Sequence, residues 1–413
     1  MDGENRGRKD LMDAVEDIEI VIVGGGMCGL ATALALHKKG IKSVVLERSE
    51  SLRTTGGGIA VHTNGWRVYD QLGIGSELRK TSLPIQVARI AWLDSGKQRE
   101  TPISEGEARC VIRSELIEAL AAHLPPGTVR FGCQIVSVRL DTLTSSPILQ
   151  MHDGKIIKAE IVIGCDGANS VIADFLELKP PKLLSACALR GFTNYPNGHG
   201  LAPEFIRQIK GQALVGRVPV SDTLVFWFVA LQAYPEDSNV WKDPELIRQL
   251  ALESVKGFPT EMIEIIDGSD LNSLSLTHLR YRAPWDILFG KFRKGTVTVA
   301  GDAMHVMGPF LGQGGSAGVE DSIVLARCLA PTLLEVNLEK GDRSRMVQKV
   351  GEALDAYAKE RRMRLVWLST QTYLMGTLLI GSSPMVVKLG VLIAMMALFR
   401  DPVGHSRYDC GRL

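Results

Sequence analysis

The stretch IEIVIVGGGMCGLATALALHKKGIKSVVLER, residues 18 to 48, leaves the chain few ways to fold. A continuously apolar run enters three glycines, leaves as a helix of small residues, and is followed by a second apolar run. This predicts a strand–helix–strand unit with parallel strands, since strands buried on both faces carry no polar alternation. Gly24, Gly26 and Gly29 stand as G-x-G-x-x-G at the strand–helix junction. The first glycine permits the tight turn, the second lets a pyrophosphate approach the backbone, and the third lets helix and strand pack closely. The helix N-terminus offers unpaired N–H groups and partial positive charge to the phosphates. Glu47 ends the second strand 23 residues after Gly24, where a carboxylate can accept ribose hydroxyls. The unit therefore predicts a bound dinucleotide. Its extreme N-terminal place, with no second fingerprint later, favours FAD over NAD.

The chain has 413 residues, enough for two or three domains, and a net charge of +1 with both signs dispersed. No basic tract marks a nucleic-acid partner. Seven scattered cysteines without a CxxC pair argue for reduced thiols, and so for a cytoplasmic protein without a zinc site. Residues 1–16 are polar and lack a signal-peptide core, which predicts a disordered tail. MVVKLGVLIAMMALF, Met385 to Phe399, is too short to span a bilayer. It is expected as a helix packed on the body, with peripheral membrane contact as the alternative.

Two further strand-to-helix junctions follow. GCDGANSVI, Gly164 to Ile172, ends a buried strand in Asp-Gly, with Asn169 and Ser170 as capping candidates. GDAMHVMGPFLGQGG, Gly301 to Gly315, carries five glycines between an apolar strand and a helix, more than a short connection needs. From about Lys182 to Arg282 aromatic strands such as TLVFWFVAL alternate with loops, and from about Lys349 the pattern is helical. These changes predict a discontinuous dinucleotide domain (17–83, 103–180, 285–340), a sheet-rich substrate domain (84–102, 181–284) and a helical region over 341–413.

The three motifs, in this order, resemble those of the single-component FAD-dependent aromatic hydroxylases, the para-hydroxybenzoate hydroxylase-like monooxygenases. The likeness covers Ile18 to Leu329. RYDCGRL and ALRGFTNYPNGHG further resemble the plant salicylate-hydroxylase-like branch. The resemblance implies an α/β fold, with a Rossmann-like FAD domain, an inserted sheet-rich substrate domain and C-terminal helices. It implies FAD as bound cofactor and NADH or NADPH as a transient reductant. The reaction implied is hydroxylation or epoxidation of an aromatic or conjugated metabolite by O2, through a flavin C4a-hydroperoxide. By the same likeness Glu47 holds the adenosine ribose, Arg48 and Arg113 lie near the pyrophosphate, and the Ile135 backbone meets adenine. Asp166 and Gly167 face the pyrophosphate side. Asp302 bonds the ribityl chain, Pro309 lies near the reacting face, and Gly314 and Gly315 present N–H groups to the pyrimidine end. Met27, Cys28, Ile59, Gly312 and Ser316 complete the implied cofactor contacts. The D-G helix departs from the family in lacking an arginine after Ser170 and Val171, which leaves NADH versus NADPH open.

For the substrate, Arg190 is the candidate to hold a carboxylate or phenolate, with a domain-interface ion pair as the alternative. Phe226, Trp227 and Phe228 are pocket candidates, and alternation requires that either Trp227 or the two phenylalanines face the pocket. His305 is expected beside the flavin in a structural role, and Tyr195 and His199 are minor candidates. The partners expected are a small molecule and O2, with the protein a monomer or homodimer. The alternative function is a flavoprotein of this fold that does not hydroxylate: an oxidase, a cyclase or an FAD-stabilised binding protein.

Overall fold

The computed structural model describes residues 15–53, 56–103, 106–232, 241, 243–338, 343–379, 384–399, 401 and 403–413. Residues 1–14 of the expected tail lie outside these, and Val15 and Glu16 already belong to the first strand.

In chain order, β1 (Val15–Val23), α1 (Met27–Lys38) and β2 (Val44–Leu46) form the opening unit. Next come β3 (Gly58–His62), α2 (Thr63–Leu72), α3 (Gly75–Thr81), β4 (Val87–Trp92), β5 (Lys97–Pro102), β6 (Ala108–Ile112) and α4 (Arg113–Ala122). Then β7 (Val129–Arg130), β8 (Ile135–Leu140), β9 (Pro147–Met151), β10 (Ile156–Gly164) and α5 (Val171–Phe175) complete the first half. The second half begins with β11 (Lys182–Asn194), β12 (Glu204–Lys210), β13 (Ala213–Pro219), β14 (Leu224–Gln232), α6 (Pro244–Ser254), α7 (Thr260–Asp267) and β15 (Ser275–Tyr281). It ends with α8 (Pro284–Phe289), β16 (Arg293–Lys294), β17 (Val297–Val299), α9 (Asp302–His305), α10 (Gly314–Leu338), α11 (Arg343–Leu379) and α12 (Met385–Leu398).

An eight-stranded sheet has the core order β17-β10-β1-β2-β7, all parallel. Its strands are buried on both faces, which is why their sequences are continuously apolar. β1, β10 and β17 are neighbours in register: Val23 pairs with Gly164, and Gly164 with Val299. The three glycine-containing junctions, more than 270 residues apart from first to last, thus emerge side by side at one carboxyl edge. Ligands bind at such edges in open α/β sheets, because the following helices aim their N-termini there.

A seven-stranded sheet has the order β15-β11-β14-β13-β12-β4-β5. Its back face packs on α6 and α7 through Val225, Trp227, Val229, Ile247, Ile265 and Ile266. α12, expected as a helix packed on the body, touches α11 along one edge and leaves most of its residues exposed. Met395 is its one buried residue, while Met385 and Val386 are 80% exposed. Among the described residues no helix is long and apolar enough to cross a membrane.

Gly29 sits where α1 crosses β1. A Cβ there would stand 1.9 Å from the Gly24 carbonyl oxygen, which is backbone and cannot swing aside. Gly29→Ala should therefore push helix and strand apart, lowering the melting temperature of the FAD-free protein and its FAD content together. A variant with wild-type melting and wild-type yellow colour would contradict this packing.

Candidate active site

A continuous cavity of about 1810 Å³ runs from the carboxyl edge of the parallel sheet to the front face of the second sheet. Ordinary ligand pockets occupy roughly 300–1,000 Å³, so one small ligand does not account for it.

The dinucleotide end is shaped by glycines. Gly24 has φ +106°, and a Cβ there would meet the Cys165 carbonyl oxygen at 2.4 Å. Gly26 has open space instead, with no atom within 4 Å of a Cβ, and α1 begins there without a side-chain cap. The first N–H groups of α1 therefore look for acceptors outside the protein. Gly24, Gly26, Met27 and Cys28 line the cavity, whereas Gly29 lies behind it as a packing residue. The Glu47 carboxylate accepts from the Gly25 N–H at 2.7 Å and the Ser49 N–H at 3.0 Å. Burial pushes its pKa up, but these N–H groups and Arg53 outweigh burial and leave it below the ordinary value. It is thus a fixed anion that still faces the cavity. Arg48, Arg113, Ile135, Asp166 and Gly167 line the same end. Asp166 Oδ2 accepts weakly from the Ile172 N–H at 3.4 Å, while Oδ1 is buried without a partner. Ser170 caps α5, accepting from the Ala173 N–H at 2.8 Å.

The middle of the cavity is the glycine-rich segment after β17. Gly301 has φ +62°, a conformation that favours glycine. Asp302 opens α9 with its side chain on the cavity and no hydrogen-bond partner among the described residues. Burial raises its pKa, and His305 and Arg113 partly offset this. Pro309 begins a single 3₁₀ turn, Gly312 ends it at φ +63°, and α10 starts at Gly314. Ile59, Pro309, Gly312, Gly314 and Gly315 all line the cavity, so the N-terminus of a 25-residue helix faces it. Ser316 does not reach the cavity. It is buried toward α2, where a Cβ on Gly65 would stand 2.8 Å from its Oγ.

Beneath this segment lies a buried ionic cluster that sequence reasoning missed. His305 turns away from the cavity, its Nε2 standing 2.6 Å from Asp321 Oδ2. Asp321 also accepts from the Gly301 N–H at 2.9 Å and from Arg361 Nε at 2.7 Å. Arg361 and Arg364 donate to Glu320 at 2.7 and 3.1 Å, and Asn64 Nδ2 donates to both Glu320 and Gln313. A signal was available: the adjacent acids of GVEDSIVLA sit inside an otherwise apolar helix.

At the end against the second sheet the alternation of β14 is settled by its neighbours. Phe226 and Phe228 face the cavity. Trp227 lies on the back face, fully buried, donating from Nε1 to Ser269 Oγ at 3.0 Å, and so is not a pocket residue. Tyr195 packs against the back-face core, and neither it nor His199 lines the cavity. Arg190 does line it, and no ion pair engages it among the described residues.

An open cradle over Gly26, an uncapped helix start, and two carboxylates without full partners fit a phosphate- and hydroxyl-rich ligand such as FAD. The model of the FAD binding domain family matches residues 17–367. The chain belongs to that family. This flavoprotein is 50% identical to Monooxygenase 1 of Arabidopsis thaliana, over 97% of its own length and 100% of the relative's. It is 32% identical to Monooxygenase 2 of the same plant, over 96% and 98%. Among solved structures, Klebsiella pneumoniae HpxO complexed with FAD and uric acid superposes with a TM-score of 0.77 at 18% identity, over 94% and 97% of the two chains. That likeness is one of fold.

Two outcomes follow. Gly26→Val should fold with normal yield and lack visible flavin absorbance, because its side chain points into open cavity rather than protein; a yellow variant would refute the cradle. Arg361→Met should leave Glu320 and Asp321 short of a buried cation and destabilise the protein by roughly 3–5 kcal/mol, read by chemical denaturation; an unchanged midpoint would show that the cluster is not holding the loop.

Proposed function

We propose that this flavoprotein is a monooxygenase that uses NADH or NADPH and O2 to place one oxygen atom on a flat aromatic or conjugated small molecule. The observation that carries the reading is continuity: one cavity joins the glycine-shaped dinucleotide end to a chamber walled by Phe226, Phe228, Leu214 and Phe310. The relatives named as monooxygenases over nearly their whole length support it.

When bound, FAD supplies the hydride acceptance and oxygen activation that no side chain can. The chain's part is to bind, orient and keep dry. Gly24, Gly26 and the start of α1 take the pyrophosphate, Glu47 the ribose hydroxyls, and Arg48 and Arg113 neutralise phosphate charge. Asp302 accepts from the ribityl hydroxyls. The N–H groups of Gly314 and Gly315, at the positive end of α10, favour negative charge on the pyrimidine edge. Pro309 and Phe310 close one wall against water, and Arg190 orients the substrate through an anionic oxygen.

Two measurements test this. The purified yellow protein, offered NADH or NADPH and a panel of phenols, should consume the nucleotide with product formed and little peroxide. Oxidation that yields peroxide with every phenol would favour an oxidase. Arg190→Lys should keep FAD and charge but lose the planar fork. Product per nucleotide consumed should then fall severalfold as peroxide rises; an unchanged ratio and rate would place substrate orientation elsewhere.

A further inference from the structure

The front face of the second sheet carries charge in one line. Arg190 on β11 pairs with Phe228 on β14, Phe228 with Gly216 on β13, Gly216 with Arg207 on β12, and Arg207 with Ile90 on β4. Residues paired across strands share a face. All four side chains of this row line the cavity. Gly216 is what lets the row lie flat, since a Cβ there would stand 2.3 Å from the Phe228 ring. The rows on either side are apolar: Phe226 and Val218 on one, Ala188, Ala230 and Leu214 on the other.

The register runs on from Ile90 to Arg99 at the exposed edge strand β5, and neither of the two inner guanidiniums has an acid. No ion pair or hydrogen bond joins Arg190 or Arg207 to another described residue, and Arg207 only lies over the Phe205 ring at 5.2 Å. Burial lowers the pKa of both. The acids that line the cavity are engaged or distant in role: Glu107 is held by Arg79 and Arg109, and Glu47, Asp166 and Asp302 belong to the dinucleotide side. Two desolvated cations in one apolar chamber are costly unless a ligand brings the missing charge.

We infer that Arg190 and Arg207 form a two-point anion site across Phe228, and that the substrate is an extended flat molecule with an acidic group toward each end. The spacing sets its size. The two arginines stand three strands apart, roughly 14 Å between backbones at about 4.8 Å per strand. Side chains leaning inward shorten that span, but a single benzene ring does not fill it. A two-ring or similarly long conjugated diacid does, with its plane over Phe228. This inference rests on reading the chamber as the substrate site.

The test uses the FAD-loaded enzyme and three probes: biphenyl carrying carboxylates at both para positions, biphenyl with one carboxylate, and a neutral biphenyl alcohol. Binding is followed by the perturbation of flavin absorbance. The diacid should bind wild type roughly ten- to a hundredfold more tightly than the monoacid, the worth of one further charge-assisted contact. Arg207→Gln should remove that advantage while leaving monoacid affinity and FAD content unchanged. Should the glutamine variant lose FAD, Arg207→Lys keeps the charge and should retain part of the advantage. Equal affinities for diacid and monoacid in wild type, or an equal loss for all three probes in the variant, would overturn the inference. The stated order of affinities in a protein that oxidises no NAD(P)H with any probe would sustain the anion site and sink the monooxygenase reading instead.

Discussion

Asp321 holds three parts of the chain at once. Its carboxylate takes the Gly301 N–H, the His305 imidazole and the Arg361 guanidinium, with all of these groups out of water. Burial pushes its pKa up, and His305 and Arg361 more than reverse this, so the group is ionised where it sits. An ion so placed is tolerated only while its partners stay, which makes the geometry all-or-none. The neighbouring Glu320 does the same for the far end of the segment, through Asn64 to Gln313. Both ends of the loop from Gly301 to Gln313 are thereby tied to α2, α10 and α11. The chain's last residues close over this cluster: Tyr408 lies 5.5 Å from Arg361 and 4.4 Å from Arg364, and Gln71 bonds both Gly411 and Leu413.

With its loop fixed, the cavity divides into two electrostatic regions. The end at the parallel sheet presents helix N-termini and backbone N–H groups, which carry partial charge at little desolvation cost. The end at the second sheet carries full charges instead, at Arg190 and Arg207, set among aromatic and aliphatic rows. His62 lies on the border, close to Gly312, where burial and then Arg207 push its pKa down to about 4. Its imidazole is therefore neutral near pH 7, a polar group beside the flavin loop that adds no further positive charge.

The parallel sheet, its glycine turn and Glu47 were legible in the sequence because their signals are local. An apolar run, a glycine with positive φ and a helix of small residues each report a constraint met within a few residues. The Asp302 and Gly312–Gly315 segment was legible for the same reason. Trp227 was not, because alternation fixes two faces and leaves open which one is the cavity; the helices α6 and α7 decided that by covering the back. Ser316 follows the glycines in sequence, yet one further step around α10 turns it toward α2. α12 carries an apolar sequence that suits a packed helix, but whether such a stripe finds a partner depends on what lies beside it.

The sequence by itself determined a parallel sheet whose carboxyl edge carries a glycine turn and a helix start, because strand burial, turn geometry and helix start are written in adjacent residues. Only the tertiary structure decided what surrounds it. The acids Glu320 and Asp321 become anchors when Asn64, His305 and Arg361 arrive from far along the chain, and Arg207 joins Arg190 when four strands fall into one register. Those groups interact through space at hydrogen-bond and strand spacings, and nothing local to any one of them announces its partner.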